Sequence, residues 1–458
     1  VITRDEIEAK ADEFGIHAAN VQRDYVFGWL IGGLYETSTL ADVLVLKGGN
    51  ALRKGYFPAT RFSDDLDFST TQGLDGDLLV REFNDICRFA EARSGVKFDL
   101  ERNQVISEQV INRAKRVYKM RLYFQDFSGN ADHITLRVKV DVTAFDRIYL
   151  PPQTRRLVHP YSDASDCNGQ IRVVKLEEAL ADKMKCLLQR RYSYDLFDLV
   201  YGVFVNHELE IDRGELVQTF LRKTVFERSP IAARDLLLGV PFDLMRGFWN
   251  RLVCPKVSLL SFDRAVGLFR DGLLALFAPF SYGAHLAGAY FPATLRNPIL
   301  QAGADLTVVQ MSYDGITRLI EPYSLVFKQR NDGVAQEYFY GYDTTGGHTS
   351  GPTIKSFTQG GIQHLENTDI EFEPRYTVEL AKAGDRETAG YFARPFGTSR
   401  PRRPTIRRPA GLKVAPTFKI QCPYCSKTFT RKAASIRLNQ HNDTYGNRCY
   451  GRVGIRVF

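Results

Sequence analysis

Residues 47–69, KGGNALRKGYFPATRFSDDLDFS, join a Gly48-Gly49 pair to two carboxylates, Asp65 and Asp67, two positions apart. In an extended strand residues i and i+2 point to the same side, so these two acids share a face. Paired carboxylates repel unless a positive charge lies between them, and a divalent metal ion is the common remedy. A glycine turn leading into a helix start suits phosphate, because backbone N–H groups can approach it closely. The chemistry these residues support is a metal ion acting on a nucleotide, with Arg61 and Ser63 nearby as further phosphate partners. The bland alternative is a charged surface turn, since a lone D-x-D is frequent in loops.

Later residues extend the set. In 133–143, Leu136, Val138, Val140 and Val142 alternate with Arg137, Lys139 and Asp141, which places Asp141 on the polar face of a strand. If that strand neighbours the Asp65/Asp67 strand, three carboxylates meet and fit a two-metal arrangement. One ion then activates an attacking hydroxyl, and the other binds a triphosphate and its leaving pyrophosphate. The stretch LEEALADKMKCLLQRRY, 176–192, reads as a helix with Lys183 on an otherwise apolar stripe of Leu176, Leu180 and Leu187. Such a lysine either snorkels to solvent or serves the phosphates. In the next helix, 194–206, Asp195 and Asp198 share one side, a spacing that by itself usually means a solvated face.

A second constellation lies near the end of the chain. Cys422 and Cys425 are two residues apart in the C-x2-C sense, His441 follows after fifteen residues, and Cys449 after seven more. Thiolate and imidazole ligands at such spacing suit tetrahedral structural zinc, which also explains how a segment with few large apolar side chains could fold. Between 394 and 458 there are fifteen Lys or Arg against the single acid Asp443, a net of +14, whereas the whole chain carries +8, leaving about −6 before residue 394. Nucleic acid is the expected partner of that tail, through Arg402, Arg403, Arg407 and Arg408 in the Pro/Arg-rich stretch and Lys427, Arg431, Lys432 and Arg437 around the finger.

The elements that must position these residues can be read coarsely. Thr3 and Glu6 form a capping-box pattern opening one helix, and a second follows over 16–36. Residues 43–46 read as a buried strand, 77–93 as an amphipathic helix, and 97–106 and 116–125 as extended segments. Helical sequence continues to about Leu276, and the texture changes near Asn297 to short strands at 306–311, 316–320, 324–329, 337–342 and 355–358. Asn331-Asp332-Gly333 marks a hairpin turn among them. Composition, 44% hydrophobic and 25% charged, is that of an ordinary globular protein, and the length allows two to four domains. The uncharged run 272–295 is interrupted by Pro279 and Pro292, which argues against a membrane span, and the absence of a signal-like start makes the cytoplasm the default location. Cys87, Cys167, Cys186 and Cys254 have no motif spacing and read as thiols of a reducing compartment.

The ordered set KGGNALRK, RFSDDLDFS, Asp141, LEEALADKMKCLLQR and YDLFDL resembles the AbiEii/AbiGii nucleotidyltransferase toxins, part of the DNA polymerase β-type nucleotidyltransferase superfamily, over residues 1–275. The resemblance implies Asp65, Asp67 and Asp141 as ligands of Mg2+ or Mn2+, and Gly48, Gly49 and Ser63 as the NTP cradle, with Arg61 a further nucleotide-binding candidate beside them. Lys183 would contact the triphosphate or transfer a proton, and Asp195 and Asp198 would form the final catalytic motif. It further implies a toxin of a toxin–antitoxin or phage-defence system that moves NMP from an NTP to RNA, the tRNA 3′ end being favoured, with a cognate antitoxin as partner. Tyr194 departs from the family's pattern, which has arginine before the first aspartate of the last motif.

Residues 300–380 resemble WYL domains, small SH3-like barrels that bind nucleic acid or nucleotide ligands. The resemblance rests on Arg318, Glu321-Pro322-Tyr323, Tyr338, Phe339 and Lys355-Ser356-Phe357, with Glu337 in place of the family's tryptophan.

The expected architecture is α+β. A polymerase β-type core (1–175) is completed by a helical subdomain (176–296), then followed by a WYL-like β domain (297–383), a basic linker (384–416) and a zinc finger (417–458). The alternative function is a nucleic-acid-binding regulator whose transferase fold serves as a nucleotide sensor.

Overall fold

In a computed structural model of the chain, the described residues are 2–111, 115–125, 127, 135–329, 333–346 and 351–386, together with parts of 418–457. They fall into two units, one running from the start to Arg386 apart from 375–377, the other holding the described parts of the tail.

The first unit opens with α1 (Arg4–Phe14), whose N-cap Thr3 hydroxyl accepts from the Glu6 N–H at 3.2 Å. The capping box is half used, because the Glu6 carboxylate turns to Ser162 and takes both its N–H and its hydroxyl. The next helix, α2 (Ala18–Thr37), is apolar on most sides and accordingly lies buried from Val21 to Leu34 except at Arg23 and Gly32. It packs with α4 (Gly76–Ser94) under a seven-stranded mixed sheet. The strands are β1 (Val45–Lys47), β2 (Asp65–Ser69), β3 (Gln104–Ile111), β4 (Lys115–Gln125), β5 (Thr135–Ala144), β6 (Gln153–Arg156) and β7 (Gln170–Val173), in the order β3-β4-β5-β2-β1-β7-β6. Alternation assigns Leu66, Phe68, Met120, Leu122, Val138, Val140 and Val142 to the core face, all at most 1% exposed, and sends the polar set to the other face.

Between β1 and β2 the chain makes a short helix, α3 (Gly48–Ala51), that widens into one π-helical turn, Leu52–Tyr56. The π turn brings Arg53 and Lys54 inward, and both pair with Asp24 of α2 at 2.7 and 2.8 Å. The Tyr161 hydroxyl donates to the same carboxylate. This buried ion cluster anchors the backbone directly behind the glycine pair.

Helices α5 (Leu176–Gln189), α6 (Ser193–Leu199), α7 (Arg213–Lys223), α8 (Pro230–Leu238), α9 (Asp243–Trp249) and α10 (Phe262–Phe277) make up the helical half. No helix among the described residues is long and apolar enough to cross a membrane. The change of texture near Asn297 falls inside α11 (Ala293–Asp305). That helix carries the chain into an antiparallel five-stranded sheet of β8 (Thr307–Tyr313), β9 (Ile316–Gln329), β10 (Ala335–Asp343), β11 (Thr353–Phe357) and β12 (Ile362–Glu371), ordered β11-β10-β9-β8-β12.

Two expected strands, 316–320 and 324–329, are one. Pro322, which cannot donate to a ladder, is accommodated where the β9–β10 register shifts between Tyr340 and Gly341. The last strand, β12, was not anticipated, since its residues are mostly exposed and polar, as befits an edge. The β9–β10 pairing closes a hairpin at Gln329 and Ala335, although Asn331 and Asp332 themselves lie outside the described residues. Glu337 accepts from the Arg296 guanidinium at 2.7 and 2.8 Å and from the Phe291 N–H at 2.9 Å. A carboxylate at this position therefore ties β10 to α11. The segment after the sheet, up to Arg386, packs back on the helical half, where the Val225 N–H donates to the Gly384 carbonyl at 3.0 Å.

Candidate active site

The pairing left open by the sequence is made. Strands β2 and β5 run parallel with Asp67 opposite Asp141, and β1 runs antiparallel to β2 with Lys47 opposite Asp67. Asp65, two residues from Asp67, lies on the same face. Burial and the neighbouring Asp65 and Asp141 charges push the Asp67 carboxyl up to about 7 despite Lys47 and Lys183. Burial likewise raises Asp141, in spite of Lys119. Three strand carboxylates gathered on one face, two of them raised by burial and by their neighbours' charge, are a donor set suited to hard divalent cations.

Gly48 has φ +71°, and a Cβ there would stand 2.1 Å from Asp67 Oδ2. Both the left-handed backbone and the close approach demand glycine. At Gly49 a Cβ would meet Ser63 Oγ at 2.6 Å. The Ser63 hydroxyl donates to Asp65 Oδ1 at 3.2 Å, and Asn50 Nδ2 donates to the Asp65 carbonyl at 2.6 Å, so the turn after β1 is bonded to the start of β2.

Lys183 of α5 does not snorkel. Its ammonium lies 2.8 Å from Asp198 and 3.3 Å from Asp195, both on α6. Burial works against the charge, but these two acids raise its pKa above the ordinary value. Arg61 grips Asp198 through Nε and Nη2, each at 2.8 Å, and Arg190 grips Asp195 at 2.7 and 2.9 Å. The two aspartates, at most 2% exposed, are thus not a solvated face. They hold three cations in place. The Tyr194 ring sits among those cations, 4.9 Å from Arg61, 5.6 Å from Lys183 and 5.0 Å from Arg190.

A cleft of about 290 Å³ opens between Gly48, Asp67 and Lys183. It is also lined by cations that the sequence reading passed over, among them Lys47, Lys115, Lys185 and Lys223. Lys47 and Lys115 reach Asp146 at 2.9 and 2.6 Å, and although burial opposes it, they hold that carboxyl well below the usual range. Lys223 bridges Glu178 and Asp182, and Lys185 reaches Asp385 at 3.1 Å. Lys47 and Lys185 lie inside the stretches KGGNALRK and LEEALADKMKCLLQR with no role assigned from sequence, and Lys115 and Lys223 belong to no short motif.

Strands β13 (Phe418–Gln421), β14 (Thr428–Arg431) and β17 (Ile455–Val457) form one small sheet, and β15 (His441–Asn442) pairs with β16 (Arg448–Cys449). The ligand atoms of Cys422, Cys425, His441 and Cys449 lie within 4.8 Å of one another. Cys422 and Cys449 sulfurs are 3.6 Å apart, and Cys425 Sγ is 3.4 Å from His441 Nε2. Those separations are close to the edges of a tetrahedron with Zn–S of about 2.3 Å and Zn–N of about 2.0 Å. His441 Nδ1 faces the Asn439 carbonyl at 2.9 Å, which leaves Nε2 as the free lone pair. Of the expected nucleic-acid contacts, Lys427 reaches the Asn442 carbonyl and Arg437 is exposed. Arg402, Arg403, Arg407, Arg408, Lys432 and the Arg431 side chain lie outside the described residues.

The glycine turn, the three strand carboxylates and most of the cation-lined cleft lie within the part of the chain for which comparison with known proteins finds a family match. Residues 32–251, just under half of the chain and including every residue of the carboxylate site, match the family model described as "Nucleotidyl transferase AbiEii toxin, Type IV TA system". Among solved structures, the chain is similar to MenT4, a nucleotidyltransferase toxin from Mycobacterium tuberculosis, with 16% identity over 60% of this chain and 88% of that one and a TM-score of 0.38. No curated protein matches the chain.

Proposed function

We propose that the protein is a cytoplasmic, divalent-metal-dependent nucleotidyltransferase toxin that transfers NMP from an NTP to RNA, with a tRNA 3′ end as the favoured acceptor and a cognate antitoxin as its control. The observation that carries this reading is the register of β1, β2 and β5, which lines up Lys47, Asp67 and Asp141 beside Gly48. Bound by Asp65, Asp67 and Asp141, Mg2+ or Mn2+ would neutralise phosphate charge and lower the pKa of the attacking hydroxyl. In the reaction the acceptor hydroxyl releases its proton to solvent as its oxygen bonds to the α-phosphorus, the bond from the α-phosphorus to the oxygen bridging to the β-phosphate breaks, and pyrophosphate leaves. Gly48 and Gly49 let the backbone lie close to the triphosphate, and Ser63 orients Asp65. Lys183, held by Asp195 and Asp198, presents a fixed positive charge to the cleft where pyrophosphate departs. Arg61, committed to Asp198, supports the nucleotide site through that same network.

The β8–β12 sheet is read as a WYL-like module and the tail as a zinc finger, both serving to recruit nucleic acid. Incubation with labelled NTPs, Mg2+ and total RNA tests the proposal. Label should pass to an RNA fraction, and Asp65→Ala or Asp67→Ala should reduce transfer by at least ~10²-fold. Undiminished transfer in either variant would overturn it.

A further inference from the structure

The polar face of the large sheet does not end at the carboxylates. Across β4 and β5, Lys119 stands opposite Asp141, Arg121 opposite Lys139, and Tyr123 opposite Arg137. By alternation these six residues share the face that carries Asp141, while their sequence neighbours Met120, Leu122, Val138 and Val140 form the core beneath. Like charges directly opposite each other, as at Arg121 and Lys139, destabilise a sheet. The acids on this face are Asp141 and, opposite Lys139 on β2, Asp65. Arg121 comes no nearer than 3.9 Å to Asp141, and among the described residues Lys119, Lys139 and Arg137 make no ion pair. At the far end the Arg102 guanidinium, itself 3.7 Å from Asp99, lies over the Tyr123 ring at 4.2 Å.

A two-strand ribbon on which Lys119, Arg121, Lys139 and Arg137 outnumber the two carboxylates Asp65 and Asp141, and which runs away from the metal-type site, is built for a polyanion. Along β5, Asp141, Lys139 and Arg137 follow at two-residue steps of about 6.8 Å, close to the spacing of successive phosphates in an extended nucleic-acid strand. An aromatic–guanidinium stack at the end provides a surface on which a base can rest.

We propose that the β4–β5 face is the track for the acceptor RNA, holding the phosphodiester backbone of its single-stranded 3′ end on Lys119, Lys139 and Arg137 so that the terminal hydroxyl arrives at Asp141. The track deepens the reading of the site as an RNA nucleotidyltransferase and rests on it for the identity of the strand. It assigns acceptor binding to the transferase unit itself, in addition to the basic tail.

The test uses the full chain, a fluorescein-labelled single-stranded RNA and, separately, a fluorescent NTP analogue with Mg2+. The triple variant Lys119→Gln/Lys139→Gln/Arg137→Gln should bind RNA about tenfold more weakly at about 0.1 M salt. Its slope of log K against log salt should be smaller by about 2, since each lost contact to a single strand removes about 0.7. NTP affinity should stay unchanged. Lys97→Gln, at a lysine that is 62% exposed on another surface, should alter neither. Should the triple variant melt early, Arg137→Glu alone provides the same comparison at an exposed position. RNA affinity and salt slope equal to wild type would overturn the track, as would a loss confined to NTP binding. Because binding needs no turnover, a wild-type protein that binds RNA through the ribbon yet transfers no label would defeat the catalytic reading and leave the track standing. Transfer that proceeds equally well in wild type and triple variant would do the reverse.

Discussion

Asp67 and Asp141 face each other across the parallel β2–β5 pair, and burial, then the Asp65 charge, then that of Asp141 lift Asp67 to about 7. An acid whose pKa is higher in the folded chain than in the unfolded one contributes stability that is present below its unfolded value, near 3.8, and is lost as pH rises through about 7. The folded apo protein should therefore lose stability from this group between about pH 4 and 7. Mg2+ competes with the proton, so its stabilising effect should be largest at pH 8 and fade below pH 6. Thermal melts with and without Mg2+ across this range check the sign, and Asp67→Asn should flatten the dependence.

Gly48→Ala should abolish catalysis while the protein still folds. The left-handed backbone alone costs about 1–2 kcal/mol in a residue with a Cβ, and that Cβ would displace the Asp67 carboxylate it meets at 2.1 Å. The expected result is a melting temperature lowered by a few degrees together with transfer at the level of Asp67→Ala. Near-normal turnover would show that the carboxylate tolerates displacement.

Tyr194→Arg, which restores the residue usual in the resembling family, should destabilise this chain. The ring is contacted by Arg61, Lys183 and Arg190, and a fourth cation would replace three favourable contacts, each worth about 0.5–1 kcal/mol, with repulsion. A loss of about 2 kcal/mol in denaturant unfolding is expected, with Tyr194→Phe close to wild type. Equal stability of the arginine variant would mean that the network rearranges.

Zinc should bind in a ratio of one ion per chain and hold the tail unit together. Metal analysis after purification should find zinc, and a strong chelator should abolish the tail's folded signal while the unit running to Arg386 keeps its melting transition. Cys425→Ser should lower zinc content to the same degree as Cys449→Ser, because both supply a ligand to one cluster.

Some of this was local and therefore legible. Alternation placed Asp65 and Asp67 on one face, the capping pattern at Thr3 opened α1, and the C-x2-C pair announced its cluster, because each depends on residues a few positions apart. Other features depend on which elements become neighbours. Asp141 joins Asp67 only because β5 pairs in parallel with β2 at that register, and a shift of one residue would have turned it into the core. Asp195 and Asp198, spaced like a solvated helix face, are buried because Arg61, Lys183 and Arg190 arrive from three other positions in the chain to neutralise them. Lys115 and Asp146 carry no motif and Lys47 only opens KGGNALRK, yet the fold gathers the three at one wall of the cleft. Short-range periodicity determined which residues could act, and only the strand order and the docking of α5 and α6 decided which of them meet, since charge interactions are set by distance in space and not by separation along the chain.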